Sequence, residues 1–274
     1  MLWVKKGYPW DNALHSEFSI NGKTINIYTS DTTDSIGEYL KPGWNTLAIK
    51  TTVQEPATEN NGLTFRIGPM RNVSEGKKEK MLMDPVLWEF HNNTDWKFGK
   101  DKQYSHPLGP GVKEVTLNFS VYFASLQQEN AELKAGDFVL TSKPHYTPDW
   151  NSPVTATVFV NGTPLNTFTA AGRQLVITSL LKEGKNEIKL VSTRVKNSIQ
   201  SNDIEFSVAG PAVWMVQKAQ FAVNPILQFN SMQGWTMDPR TGMLINKAKP
   251  DSETVERVIP FFLKEAPKPE ASKP

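Results

Sequence analysis

The chain has 274 residues, 38% of them apolar, and a formal net charge of +2 from 30 Lys and Arg against 28 Asp and Glu. It can therefore bury a core, and it lacks the concentrated basic footprint of a nucleic-acid binder. It has no cysteine, which excludes disulfides, thiolate nucleophiles and cysteine metal sites.

In chain order, the N-terminal MLWVKKGYPWDN has no apolar run after its charges and does not read as a signal peptide. FSINGKTINIY places Asn21-Gly22 between alternating segments, a hairpin signal because both residues tolerate positive φ. DTTDS (Asp31 to Ser35) reads as a loop. The turn LKPGWN (Leu40 to Asn45) leads into NTLAIKTT, whose period of two marks a strand with one buried face. RNVSEGKKEK (Arg71 to Lys80) reads as a charged connector or exposed loop. VTLNFSVYF follows as a strand, and SLQQENAELKAG (Ser125 to Gly136) is the best candidate for a turn or two of helix, or equally a loop leading to a turn before GDFVL. DFVLTS, VTATVFV, QLVITS, NEIKLVST and DIEFSV are further short β runs separated by Gly, Pro, Asn and Asp. The terminal APKPEASKP is a tail too rich in Pro and Lys to pack. Nothing approaches the roughly 18 apolar residues of a membrane-spanning helix.

Several of these features occur twice, near 140 residues apart. Asn21-Gly22 is answered by Asn161-Gly162, and LKPGWN by LKEGKN from Leu181 to Asn186. PVLWEFHNNTDWKF (from Pro85) is answered by PILQFNSMQGWTM (from Pro225), so that Phe90 and Trp96 match Phe229 and Trp235. VTLNF is echoed by VIPFF, and KKGYPWDN near Trp10 by KPHYTPDWN near Trp150. A shared order and offset indicate a tandem repeat, and a period this long indicates repeated domains rather than solenoid units.

A Val-Asn-Gly hairpin, a run of about 18 residues and then LLKEGKNEIKLVST (from Leu180) resembles the galactose-binding-like β-sandwich, a jelly-roll module. The resemblance implies a fold more than an activity: members bind sugars, bind proteins, or brace enzymes and fibres. The aromatic and aspartate that the family often carries before the Leu-Lys turn are absent, because Leu175, Val176, Ile177 and Thr178 stand there.

The expected fold is all-β, with two related antiparallel β-sandwich (jelly-roll-like) domains. A complete copy is placed at 85–211. The remainder, 1–80 plus 220–265, is expected to close into one discontinuous sandwich around it, or to be completed by a neighbour through strand addition, and 266–274 is a disordered tail.

Candidate chemistry is sparse. His15, His91, His106 and His145 form no metal-binding spacing. Asp31 and Asp34 are the candidate calcium ligands, weighed against ordinary turn capping; no other cofactor is indicated. Glu17, Asp34, Glu38 and Glu89 are conceivable members of a glycosidase pair, although sequence cannot pair them. No nucleophile elbow or phosphate loop is present. Trp3, Trp44, Trp88, Trp96, Trp214 and Trp235 lie within or beside apolar runs and read as core or seam residues, with Trp44 at a buried seam and its counterpart Lys185 solvated. Tyr8, Trp10, Tyr146 and Trp150 instead sit in loops among Pro, Asp and Asn. Such an aromatic platform beside polar groups suits sugar recognition or anchors a protein interface.

The expected function is non-catalytic structural or assembly work by presented β-sandwich surfaces, with protein partners or self-assembly. The alternative is a carbohydrate-binding module or an accessory region of a glycan-active enzyme. An extracellular, envelope or particle-associated location fits better than the cytoplasm.

Overall fold

The structure is a computed structural model that describes residues 1–7, 13–55, 62–75, 78–83, 86–123, 133–144, 152–168, 172–198, 202–215 and 220–264. Twelve strands occupy the first part: Leu2–Lys6 (β1), Leu14–Ile20 (β2), Lys23–Tyr28 (β3), Thr32–Asp34 (β4), Gly43–Val53 (β5), Leu63–Ile67 (β6), Met70–Glu75 (β7), Lys78–Met83 (β8), Trp88–His91 (β9), Lys97–Phe98 (β10), Tyr104–Ser105 (β11) and Glu114–Phe123 (β12). Twelve more follow: Val139–Pro144 (β13), Val154–Val160 (β14), Thr163–Phe168 (β15), Arg173–Val176 (β16), Gly184–Arg194 (β17), Ile204–Ala209 (β18), Val213–Met215 (β19), Gln220–Ala222 (β20), Pro225–Asn230 (β21), Trp235–Met237 (β22), Leu244–Asn246 (β23) and Thr254–Leu263 (β24). The chain is all-β with antiparallel sheets; among the described residues the one helical element is the 3-10 turn Thr178–Leu180.

Pairing in the second twelve repeats that in the first, strand for strand. The sheets β4-β1-β6-β9 and β12-β5-β2-β3 have the counterparts β16-β13-β18-β21 and β24-β17-β14-β15. The hairpins β7-β8 and β10-β11 have the counterparts β19-β20 and β22-β23. Even an irregularity recurs: the β2–β3 register shifts after Phe18, and the β14–β15 register shifts after Thr157.

The repeated turns show how local sequence sets this pattern. Asn21 and Gly22 have φ of 51° and 80°, and Asn161 and Gly162 have 49° and 85°. Positive φ at both central residues makes the tight turn whose twist matches its flanking strands. The Asn21 side chain then reaches across to the other repeated turn: its Nδ2 donates to Tyr39 O and Asn45 Oδ1, and its Oδ1 accepts from Thr46 N–H. Asn45 is 3% exposed; it accepts from Lys41 N–H (3.0 Å) and donates to Lys41 O (2.7 Å) and Gly43 O (3.0 Å). Asn161 and Asn186 make the same set, with Leu180, Lys182, Gly184 and Glu187 in the places of Tyr39, Lys41, Gly43 and Thr46. A buried amide with all its partners is well below the cost of one left unsatisfied, so each pair fixes the entry to β5 or β17.

Inward residues of β1, β6 and β9 (Leu2, Val4, Phe65, Trp88) share one hydrophobic cluster with those of β2, β5 and β12 (Phe18, Ile20, Leu47, Phe119). Rings from the two sheets meet there: Phe18 stacks on Phe65 with centroids 5.8 Å apart, and Trp88 meets Phe119 edge-on at 5.2 Å. A second cluster joins Leu140 and Phe206 to Val158, Phe168 and Leu190.

This arrangement corrects several expectations. The segment 220–265 does not complete the sheet of β2 and β5. That sheet is closed by β12, within the segment assigned to the complete copy, while β24 pairs with β17. A translation by 140 residues looks the same wherever the units are cut, so the sequence repeat alone does not set where a copy begins. The supposed connector Arg71 to Lys80 falls within the β7–β8 hairpin, and Asp34 belongs to β4, paired with β1. Trp44 is not buried; it is 41% exposed, its ring edge-on to Tyr122. Most of Ser125 to Gly136, the helix candidate, lies outside the described residues, as does 266–274.

Candidate functional site

The outward faces of the β1 and β13 sheets carry matching positions with different side chains. On the first, Trp3 stands opposite Arg66 and Lys5 opposite Thr64, and β9 adds Glu89 and His91. On the second, the corresponding positions hold Thr141, Ser207, Lys143, Glu205, Gln228 and Asn230.

On the first sheet the positions are filled by long side chains tied together. Arg66 Nε donates to Glu89 Oε2 at 2.5 Å, His91 Nε2 lies 3.4 Å from Glu89 Oε1, and Thr64 Oγ1 is 2.8 Å from His91 Nδ1. The Arg66 guanidinium lies 5.6 Å and the Lys5 ammonium 5.5 Å from the Trp3 ring centroid. Burial works against ionisation of Glu89, but His91 and Arg66 outweigh it and hold the carboxyl below its usual range.

On the second sheet, Thr141 and Ser207 in the places of Trp3 and Arg66 leave an open hollow of about 360 Å³. Its lining includes Thr141, Lys143, Glu205, Ser207, Gln228 and Asn230, with Phe206 and Phe229 from the core at its floor. Lys143 Nζ pairs with Glu205 Oε2 at 2.9 Å. Asn230 Oδ1 is shielded from solvent and accepts no hydrogen bond from the described residues. Hydroxyls, amides, one cation and one anion around a shallow concavity can hydrogen-bond a small polyhydroxylated molecule.

None of the residues singled out from sequence as ligand contacts lines this hollow among the described residues. Tyr8, Trp10, Tyr146 and Trp150 all lie outside the described residues. No motif marks the hollow itself. The signal that could have found it is the difference between copies: Trp3, Arg66 and Glu89 against Thr141, Ser207 and Gln228.

The calcium candidates are otherwise engaged. Asp31 accepts from the Lys6 amide (2.6 Å) and the Lys5 ammonium (3.1 Å). Partial burial opposes its ionisation, but these donors prevail and lower its pKa. Asp34 accepts from Tyr28 OH at 2.5 Å. That phenol is pushed well above its ordinary range, first by burial and then by Asp34. Among the described residues no three His, Asp or Glu side chains gather into a metal-sized cluster. Of the acid candidates, Glu17 accepts from Thr24 Oγ1 (2.8 Å), and Glu89 is held as above.

A different contact joins the two halves of the chain. The free edge of β12 rests on the outward face of β14 and β15. Tyr122 N–H donates to Thr167 Oγ1 (2.5 Å), Thr155 Oγ1 donates to Ser120 O (3.3 Å), and Asn197 Nδ2 donates to Thr116 O (2.9 Å). Thr155, Thr157 and Thr167 are at most 3% exposed beneath it. The unpaired backbone groups of an edge strand are thereby satisfied by side chains rather than by another strand.

Comparison of the chain with protein-family models, with curated proteins and with solved structures finds no match. No helix among the described residues is long and apolar enough to cross a membrane.

Proposed function

We propose that the chain is two eight-stranded β-sandwiches of jelly-roll type in tandem, at about 1–123 and 133–264, and that its work is non-catalytic assembly through their surfaces. The carrying observation is the edge of β12 seated on the β14–β15 face, which makes one copy the support of the next. Four four-stranded sheets would also suit a small propeller. A propeller blade, however, is a meander of consecutive strands, whereas the orders β4-β1-β6-β9 and β12-β5-β2-β3 skip along the chain. Two sheets sharing one aromatic-rich cluster also favour the sandwich. The galactose-binding-like resemblance belongs to this reading.

The test is a protease site placed within 124–132. After cleavage, the two halves should co-elute as one folded particle, and Thr155→Glu with Thr167→Glu should separate them. Halves that part on cleavage without those substitutions would refute the stacked-sandwich reading.

A second reading, carbohydrate binding, is favoured by the hollow and the unsatisfied Asn230 acceptor. On this reading Tyr146 and Trp150 stay the candidate aromatic contacts that the sequence suggests. Calorimetry against a panel of mono- and disaccharides should show binding that Ser207→Arg abolishes, because arginine stands at the matching position of the filled face. No heat with any sugar, or binding indifferent to Ser207→Arg and Trp150→Ala, would end it.

A further inference from the structure

The contact between the halves is made by β12; among the described residues its counterpart strand β24 has no such cover. Register places Phe262, Pro260 and Glu256 where Tyr122, Ser120 and Thr116 stand. The N–H of Tyr122 and the carbonyls of Ser120 and Thr116 point away from β5 and make the contact. On β24 the corresponding strip is open: Val258 is 57% and Phe262 68% exposed.

Pro260 decides what this edge can do. Ser120 contributes only its carbonyl to the contact within the chain, and proline keeps a carbonyl while lacking the N–H. β24 therefore retains every backbone group that β12 uses for resting on a face. It lacks a donor that ladder pairing with an added strand would require.

The receiving face has a counterpart as well. β2 and β3 correspond to β14 and β15, with Glu17 opposite Ile27 where Thr157 stands opposite Thr167. Thr167 is 2% exposed under β12, whereas Ile27 is 60% exposed. His15 stands at the place of Thr155 and supplies a ring N–H donor, and the Glu17 carboxylate supplies an acceptor.

We infer that β24 of one chain docks edge-on against the β2–β3 face of a second copy, repeating between chains the contact that β12 makes within one. Phe262 packs on Ile27, its N–H donates to Glu17, and Pro260 O accepts from His15. The two surfaces are different and lie on opposite halves of the chain, so the association is head-to-tail and propagates rather than closing as a two-fold dimer. This inference rests on the stacked-sandwich reading.

The test uses the full chain. By light scattering, the wild-type mass should climb past that of a dimer without a plateau as concentration rises from about 10 μM to about 1 mM, the range of modest interfaces. Phe262→Asp and Ile27→Asp each change an exposed side chain, so circular dichroism should be unaltered and each variant should stay monomeric. Mixed together they should form one-to-one dimers and nothing larger, because each retains the half that the other has lost. A wild-type chain that stays monomeric throughout would overturn the inference, as would association by either variant alone or a mixture that fails to dimerise. Halves that stay together after cleavage within 124–132 while the wild type is monomeric would remove this inference alone. Halves that separate would remove the parent reading.

Discussion

His106 shows what a buried polar residue does to this protein's stability. It is 5% exposed, its ring meets Trp96 edge-on with centroids 4.9 Å apart, and Nδ1 lies 3.2 Å from the Leu108 N–H that donates to it. Burial pushes its pKa down from 6.5 to about 4. The unfolded chain therefore binds the proton more readily than the folded one between those values. The neutral imidazole contributes its full stability above pH 6.5, and that contribution drains away as pH falls towards 4. A depression of this size corresponds to about 3–4 kcal/mol. Urea midpoints at pH 7, 5.5 and 4 should fall more steeply for the wild type than for His106→Gln. Parallel slopes would mean that His106 does not titrate between folded and unfolded states.

At the scale of elements, what could be read from sequence depended on how local the cause was. Asn21-Gly22 and Asn161-Gly162 were legible because a two-residue turn with positive φ leaves few choices. The buried strands β5 and β17 were legible from their alternation. β7 and β8 were not, because their charged, Gly-interrupted sequence lacks an apolar period. β1 carries no sign that it opens a copy, since LWVKK and VLTSK share little beyond a leucine or valine inside. That weak match allowed β9 and β12 to be assigned to the next copy. The strand partners that correct this, β12 on β5 and β24 on β17, are contacts between distant segments that no turn signal encodes. The hollow was illegible for a related reason: its lining comes from three strands spread over about 90 residues, and Thr141, Ser207 and Gln228 are unremarkable one at a time.

At the scale of the whole molecule, the two largest hydrophobic clusters among the described residues and one seam set how the chain should unfold. Asn45 serves the first cluster's sheet and Asn186 the second's, with the same partners and nearly the same burial. Alanine at either position removes the side-chain hydrogen bonds that hold a half-buried turn and leaves the amide of its Asn-Gly partner without its acceptor, which costs about 2–4 kcal/mol. For a unit of this size that lowers a melting transition by roughly 10 °C. If the proposed sandwiches melt as separate units, calorimetry should show Asn45→Ala displacing one transition and Asn186→Ala the other. The seam adds a discriminating control. Val195 follows β17 in sequence, yet it is 2% exposed and belongs to the first cluster. Val195→Ala should therefore lower the Asn45-sensitive transition, although the residue lies in the second half of the chain. If Asn45→Ala and Asn186→Ala lower one common transition equally, the seam binds the clusters so tightly that they unfold together, and the tandem units are not independent in stability.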